Sequence, residues 1–281
     1  MRQIVRMRWQ LGCLTVFVAN CASPVLAEML PLWEVGGGVA AISFPDYRGS
    51  ASRRSYLLPV PVLVYRGDIF QIDREKMRGL LFKSDRAELD ISISGSVPVR
   101  SDGSEGNRVR EGMPDLDPSL ELGPSLNVWL AKTESARLAL RLPLRAVITS
   151  DFRSVHSAGV LANPNLNLDL KPIQGWRLGL VAGVLFADHK YHDHFYGVAP
   201  EFARHGRAAY RAPGGYSGAQ FIAALSRRFE PVWVAGFVKF DALNGAAFAS
   251  SPLVERRNNV SVGIAVTWVF AQSSTRVERN E

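Results

Sequence analysis

The chain has 281 residues and a formal charge of +7, with 47% hydrophobic and 21% charged residues. That balance excludes long disordered tracts, and 24 glycines with 16 prolines are ordinary counts that exclude a collagen-like or low-complexity chain. No apolar run reaches the roughly 18 residues of a transmembrane helix, and both cysteines, Cys13 and Cys21, lie near the start, so no cysteine-based zinc or redox centre can form further along.

Residues 1–27 read as a secretory leader. Arg2, Arg6 and Arg8 precede an apolar run from Leu11 to Ala19, and Val25-Leu26-Ala27 offers small residues for cleavage before Glu28. The apolar run is too short to span a bilayer as a helix. Cleavage would remove three arginines and no acid, taking the formal charge from +7 to +4 and leaving no cysteine. An exported chain without cysteine suits an oxidising compartment. The remaining charges are interspersed rather than gathered in a basic stripe, which argues against nucleic acid as a partner.

Past the leader the dominant period is two. Segments 32–44, 56–65, 67–75 and 77–83 read as strands, and a clearer one runs from Arg86 to Val97. There Leu89, Ile91, Ile93 and Val97 share one face, while Glu88, Asp90, Ser92 and Ser94 share the other. A strand makes that division automatically and a helix does not. Ser119 to Leu130 repeats it, with Leu120, Leu122 and Leu126 opposing Glu121 and Ser125. Ala136 to Ile148 sets Leu138, Leu140, Leu142 and Leu144 against Arg137, Arg141 and Arg145. Segments 157–170, 175–187, 215–230 and 231–243 continue the series. Asn259 to Phe270 ends it, with alternate valines, Ile264 and Trp268 opposing Asn259, Ser261 and Thr267. Twelve strands are predicted in all.

Short links around Arg66-Gly67, Ser84-Asp85, 132–135, 171–175 and Glu230-Pro231 read as tight turns. Longer links at 45–55, 98–118, 149–157, 188–214 and 244–256 alternate with them, apart from a brief hairpin near Arg74 to Met77. Membrane barrels are wired this way. A tilted strand needs about 9–11 residues to cross a bilayer, and several strands here are longer than that. A lipocalin-like barrel would turn the apolar faces inward. Here the polar faces are rich in Ser, Asn and Gly, and Gly179, Gly183, Ser261 and Gly263 suit a crowded lumen better than a solvated exterior. Tyr56, Tyr65, Trp129, Trp176, Trp233, Trp268 and Phe270 lie near strand ends, as interfacial aromatics do. The expected fold is all-β. A leader over 1–27 precedes a single antiparallel transmembrane β-barrel of about twelve strands over 28–270, then a short charged periplasmic tail over 271–281.

Three constellations bear on chemistry. His189, His192, His194 and His205 crowd the link 188–214, but no ligand spacing such as H-E-x-x-H occurs, so a polar loop without metal is expected. A hydrolase would need a serine activated by histidine; no G-x-S-x-G elbow is present, and no histidine occupies an inward strand position beside a candidate serine. Arg137, Arg141 and Arg145 point to one side of one strand, facing the lumen, with Glu88, Asp90 and Glu121 as counter-charges nearby. They could attract anions or form a salt-bridged plug, and the plug is the favoured reading.

Several blocks resemble the MipA/OmpV family of outer-membrane proteins, also called the MltA-interacting protein family. They are Pro45-Asp46-Tyr47-Arg48-Gly49-Ser50, Leu58-Pro59-Val60-Pro61 and Tyr65-Arg66-Gly67-Asp68, then Tyr196-Gly197-Val198 and Tyr210 with Gly214-Gly215. Asp241-Ala242-Leu243-Asn244-Gly245 and Ser251-Pro252-Leu253-Val254-Glu255-Arg256-Arg257-Asn258 complete the set in the family's order. The resemblance implies an outer-membrane barrel of a Gram-negative bacterium without established catalytic residues. One member is known as a scaffold joining a lytic transglycosylase to a bifunctional penicillin-binding protein, and others are linked to adhesion or to osmotic and antibiotic responses. Family members usually stop at an aromatic residue, whereas here Ala271 to Glu281 follow Phe270.

The blocks also have a physical reading. Pro59 and Pro61 cannot donate ladder hydrogen bonds, so their strand should be irregular or unpaired on one side. The expectation is a non-enzymatic scaffold or interaction protein of the cell envelope, without cofactor. Its expected partners are outer-membrane lipid and, through peptidoglycan synthesis and turnover, a murein hydrolase and a penicillin-binding protein. A narrow channel or an adhesin is the alternative.

Overall fold

The computed structural model describes residues 29–66, 70–72, 77–102, 106–150, 154–172 and 175–278. The leader assigned to residues 1–27 lies outside them. The strands in chain order are β1 (Met29–Pro31), β2 (Trp33–Pro45), β3 (Arg53–Arg66), β4 (Phe70–Ile72), β5 (Met77–Lys83), β6 (Ala87–Ser96), β7 (Ser119–Lys132) and β8 (Ala136–Ser150). They continue with β9 (Val155–Ala162), β10 (Asn165–Leu170), β11 (Trp176–Ala187), β12 (Gly215–Phe229), β13 (Val232–Ala242), β14 (Asn258–Gln272) and β15 (Arg276–Glu278). One α-helix, α1, spans His189–Tyr196.

A 13-stranded antiparallel sheet makes the wall, in the order β10-β11-β12-β13-β14-β2-β3-β4-β5-β6-β7-β8-β9. β8 pairs with β9 through its second half and with β10 through its first. β11 likewise bonds to both. β9 and β10 are therefore two pieces of one wall strand, interrupted at Asn163-Pro164 where proline cannot donate, and the order of pairing returns on itself. Counted so, the barrel has the twelve wall positions predicted; of the strand expected over 67–75 the described residues are Phe70–Ile72, which form β4.

Alternation fixes the faces. Leu57, Ile264, Trp268 and Phe270 point out of the barrel and are 75%, 67%, 58% and 69% exposed, whereas Glu34, Glu121, Asn127, Asn167 and Asp241 point in and are buried. A greasy exterior around a polar lumen is the arrangement a bilayer demands. Gly263 is crowded as expected: a Cβ there would lie 2.4 Å from the Phe237 ring and 3.1 Å from Ile42. Three of the aromatics expected at the interface turn inward instead. Register places Tyr56 opposite Ile42, Trp129 opposite Ala139 and Trp233 opposite Thr267, all on the lumen face. One step in parity near a strand end separates a lipid-facing ring from a luminal one.

The wall is uneven in height. β3 pairs with β2 over 13 consecutive residues, but on its other side it meets β4 only at Tyr65 and Arg66. β6 pairs with β5 only through Glu88, Leu89 and Asp90. On the side away from β2, no strand among the described residues bonds to β3 from Arg53 to Val64, and among them the barrel is not closed along this stretch. Pro59 and Pro61 lie there, paired with Val39 and Gly37 of β2 and, among the described residues, with no strand on the other side.

The chain ends also meet. β14 continues to Gln272, two residues past the predicted end, and β15 pairs antiparallel with β1, matching Met29 to Glu278, Leu30 to Val277 and Pro31 to Arg276. Residues 276–278 of the expected tail are thus paired with Met29–Pro31.

Candidate functional site

The long links all leave the barrel at the end opposite the chain termini, and four of them pack into one cap. Its apolar core takes Tyr47 from the β2–β3 link, and Val99, Met113 and Leu116 from the β6–β7 link. Phe195, Tyr196, Val198 and Ala212 come from the β11–β12 link, and Leu243, Ala246, Phe248 and Leu253 from the β13–β14 link. Leu243, Phe248 and Leu253 are wholly buried, and burial of each such side chain is worth about 1.5–3 kcal/mol. Tyr196 stacks on Phe248, with 3.6 Å between centroids and 7° between planes.

Hydrogen bonds fix the links to one another. Tyr47 Oη donates to the Leu253 carbonyl at 2.9 Å, Tyr196 Oη to the Arg48 carbonyl at 2.9 Å, and Ser251 Oγ to the Tyr196 carbonyl at 2.7 Å. Asn107 Nδ2 donates to Asp46 Oδ2 and to Ser50 Oγ, each at 2.9 Å, tying the β6–β7 link to the β2–β3 link. Asp46 also receives Arg54 Nε at 2.8 Å. Burial raises the Tyr47 and Tyr196 phenols above the usual tyrosine range, so both remain protonated donors.

Most residues of the family blocks therefore converge. Pro45 ends β2 and is buried. Gly49 adopts φ +98, and a Cβ there would lie 3.0 Å from Leu243, so the tight approach of two links requires glycine. Gly214 presses its backbone on the start of α1, where a Cβ would lie 2.8 Å from the His189 nitrogen. Gly197 ends α1, its N–H donating to the Asp193 carbonyl, and Gly215 opens β12. Pro252 sits between the buried Ser251 and Leu253. Arg256 and Arg257 do not join the cluster by their side chains, which are exposed; their backbones do, through Arg256 N–H to the Gly49 carbonyl and Leu243 N–H to the Arg257 carbonyl.

The histidine-rich link is not merely polar loop. Asp188 caps α1, its side chain accepting from the Tyr191 N–H at 2.9 Å. The helix buries His192, Phe195 and Tyr196, which share one face at spacings of three and four. His192 Nδ1 lies 2.6 Å from the Pro213 carbonyl, which can only accept, so Nδ1 carries the proton and Nε2 accepts from the Ser217 hydroxyl. The structure thus joins a serine and a histidine that sequence reasoning kept apart. Both are sealed under Phe248, at 0% and 1% exposure, and a backbone carbonyl stands where a triad would hold a carboxylate. The pair acts as an internal pin. Burial lowers the His192 pKa, partly offset by the Pro213 carbonyl, and burial with the charge of Arg110 lowers that of His194. Among the described residues no group of histidine, aspartate and glutamate is arranged to hold a metal.

Arg48, quoted in the first block but not singled out, is the cap's main tie to the wall. Its Nε pairs with Asp241 Oδ1 at 2.9 Å and it donates to the Ser217 carbonyl at 2.8 Å, while Lys239 reaches Asp241 Oδ2 at 3.2 Å. Asn107, Phe248 and the capping role of Asn259 were missed, and Asp241, quoted in a family block, was not singled out. Their partners lie up to 210 residues away in sequence, and no local pattern marks such residues.

Below the cap the lumen carries the predicted charges. Arg145 pairs with Glu121 at 3.1 Å and donates to Ser92 Oγ at 2.9 Å. Arg141 faces inward between Asn127 of β7 and Asn165 of β10, and Arg137 lies directly across from Asp169. Glu88 and Asp90 face inward and are buried. At the short-turn end Glu34 receives Arg66 at 2.9 Å and Arg228 at 3.2 Å. Ion pairs thus brace the lumen at two heights, Arg145 with Glu121 and Glu34 with Arg66 and Arg228.

These features define an outer-membrane β-barrel whose long links pack into a cap at its loop end. The chain belongs to the MltA-interacting protein MipA family, whose pattern it matches over residues 37–270. Membership places it in the outer membrane of a Gram-negative bacterium. No curated protein matches the sequence. Solved structures similar to it include a bacterial polysaccharide outer membrane secretin, 8% identical, covering 85% of this chain and 99% of that one with a TM-score of 0.41. An outer membrane channel from Pseudomonas putida F1 is 12% identical, covering 88% and 99% with a TM-score of 0.41. Outer membrane phospholipase A from Escherichia coli is 12% identical, covering 85% and 94% with a TM-score of 0.32.

Proposed function

We propose that the protein is a non-enzymatic scaffold of the outer membrane, acting on peptidoglycan synthesis and turnover by holding a murein hydrolase and a penicillin-binding protein. The observation that carries this reading is membership of a family described by its interaction with MltA. Two features support it. The serine and histidine that meet in the cap are closed to any substrate, and the paired termini form a small two-stranded sheet at the end where the short turns lie. In an outer-membrane barrel short turns face the periplasm, where murein enzymes work. The apolar exterior holds the scaffold in lipid.

Affinity capture from envelope extracts tests the proposal, using the full chain and a chain ending at Gln272. The full chain is expected to retain a murein hydrolase and a penicillin-binding protein, and loss of β15 to weaken that retention. Recovery of neither class of enzyme by the full chain would overturn the scaffold role.

A further inference from the structure

At the loop end, the wall formed by β14, β2 and β3 carries a cluster of arginines. Register with β2 turns Arg53 outward, and its guanidinium lies across the wall, donating to the Val260 carbonyl at 2.6 Å and to Ser43 Oγ at 3.4 Å. The Gly49 carbonyl accepts from the N–H groups of Glu255 and Arg256, which brings Arg256 and Arg257 to the same corner. All three arginines are exposed, and none of them pairs with a carboxylate among the described residues. Glu255, next in sequence, turns its carboxylate to the Ala51 N–H at 2.9 Å instead.

Below this corner an apolar groove of about 850 Å³ crosses β2, β14, β13 and β12. Ser43 and Ser55 line its upper end, so the groove begins where Arg53 rests. It lies on the lipid side of the wall. Ile264 and Val238, which line it, face outward by register and are 67% and 50% exposed, whereas on the lumen side Phe237 and Ile42 close over Gly263. Gly236 forms the floor. It stands between Ile264 of β14 and Leu225 of β12, two large outward side chains, and contributes no side chain of its own. Four strands at about 4.8 Å spacing span about 14 Å, which is room for more than two acyl tails side by side.

A guanidinium binds phosphate through parallel N–H donors, and basic clusters beside a bilayer gather anionic headgroups. Long links of an outer-membrane barrel face away from the periplasm, so these arginines stand at the headgroups of the outer leaflet. We propose that the corner and groove bind one phosphorylated, multiply acylated lipid of that leaflet, of the lipid A class. Its phosphates sit on Arg53, Arg256 and Arg257, and its acyl tails lie in the groove over Gly236. The lipid thereby straddles the junction of β14 with β2.

The test is native mass spectrometry of the full chain folded in dodecyl maltoside, titrated with diphosphoryl lipid A or with phosphatidylglycerol. Two variants are compared with the unmodified chain, each checked for folding by its heat-modifiable mobility. Arg256→Gln, Arg257→Gln removes charge from exposed side chains, and Gly236→Phe fills the groove without changing charge. The unmodified chain is expected to retain one lipid A, and each variant to bind it about tenfold more weakly. Excess inorganic phosphate should not displace it. Unchanged binding by the arginine variant would overturn the proposal, as would unchanged binding by the glycine variant. Equal affinity for phosphatidylglycerol would overturn it too, since the corner would then gather any anionic lipid, and displacement by inorganic phosphate would show a site for the free anion alone.

Discussion

Asn259 holds Gly49 across the top of the barrel: its Oδ1 accepts the Gly49 N–H at 2.6 Å, while its Nδ2 donates to the neighbouring Ser50 carbonyl at 2.9 Å. One buried amide at the start of β14 thereby satisfies two backbone groups of the first long link. Asn259→Ala leaves both without their partner, at about 1–3 kcal/mol for each buried group. Amide exchange at residues 49–52 should quicken by at least an order of magnitude, while the β14 ladder keeps its protection. Asn259→Asp keeps the acceptor and loses the donor, so its effect should fall between the two.

Arg48 offers a graded test of the tie between cap and wall. In Arg48→Met, Asp241 keeps Lys239 as a partner. In the double variant Arg48→Met, Lys239→Met it keeps neither cation. Breaking a buried pair so that one charge stands alone costs about 3–5 kcal/mol. The double variant should therefore lose more stability than the sum of the two single variants, read from urea midpoints of the folded protein in vesicles. Strict additivity would show that Lys239 does not stand in for Arg48.

Face assignment is checked by charge. Ile264 points outward near the middle of β14, and Ser94 points into the lumen across from Glu121. An arginine on the lipid face at mid-bilayer costs about 2–4 kcal/mol, whereas the lumen tolerates it. Ile264→Arg should sharply lower folding yield in lipid vesicles, and Ser94→Arg should leave it close to that of the unmodified chain. Equal yields would reverse the faces.

The cap should weaken in acid through His192 and His194. Burial depresses both pKa values below the ordinary 6.5. The unfolded link takes up protons at a higher pH than the folded one, so stability is full above 6.5 and falls as the pH drops from there toward the native values. Exchange protection of residues 189–196 should be lower at pH 5 than at pH 8. Replacing both histidines with glutamine should flatten that dependence.

Period-two patterning made the wall legible because every strand has one face in each medium, and the Arg137, Arg141 and Arg145 ladder followed from the same arithmetic. The cap was not legible for the opposite reason. Tyr47, Asn107, Phe248 and Asn259 carry no local periodicity, and they meet only because four separate links fold over one barrel mouth. α1 was hidden by its own composition: the run Asp188 to His194 is polar, and only Phe195 and Tyr196 betray a buried face. Trp233 and Trp129 were assigned to the interface on position along the strand, which fixes height but not side. Pro59 and Pro61 marked β3 as a strand short of ladder donors, since a missing donor is a property of the residue itself.

The clasp between β1 and β15 bears on how the molecule is made. The seam of the barrel joins β14 to β2, and the clasp beside it joins Arg276–Glu278 to Met29–Pro31. Ribosomes and export channels release a chain from its beginning, so the earliest strand waits with one flank bare until nearly all of the protein has been delivered. Seam and clasp can form only once residues 258–278 have been delivered, and a chain cut before Arg276 would leave β1 without its partner.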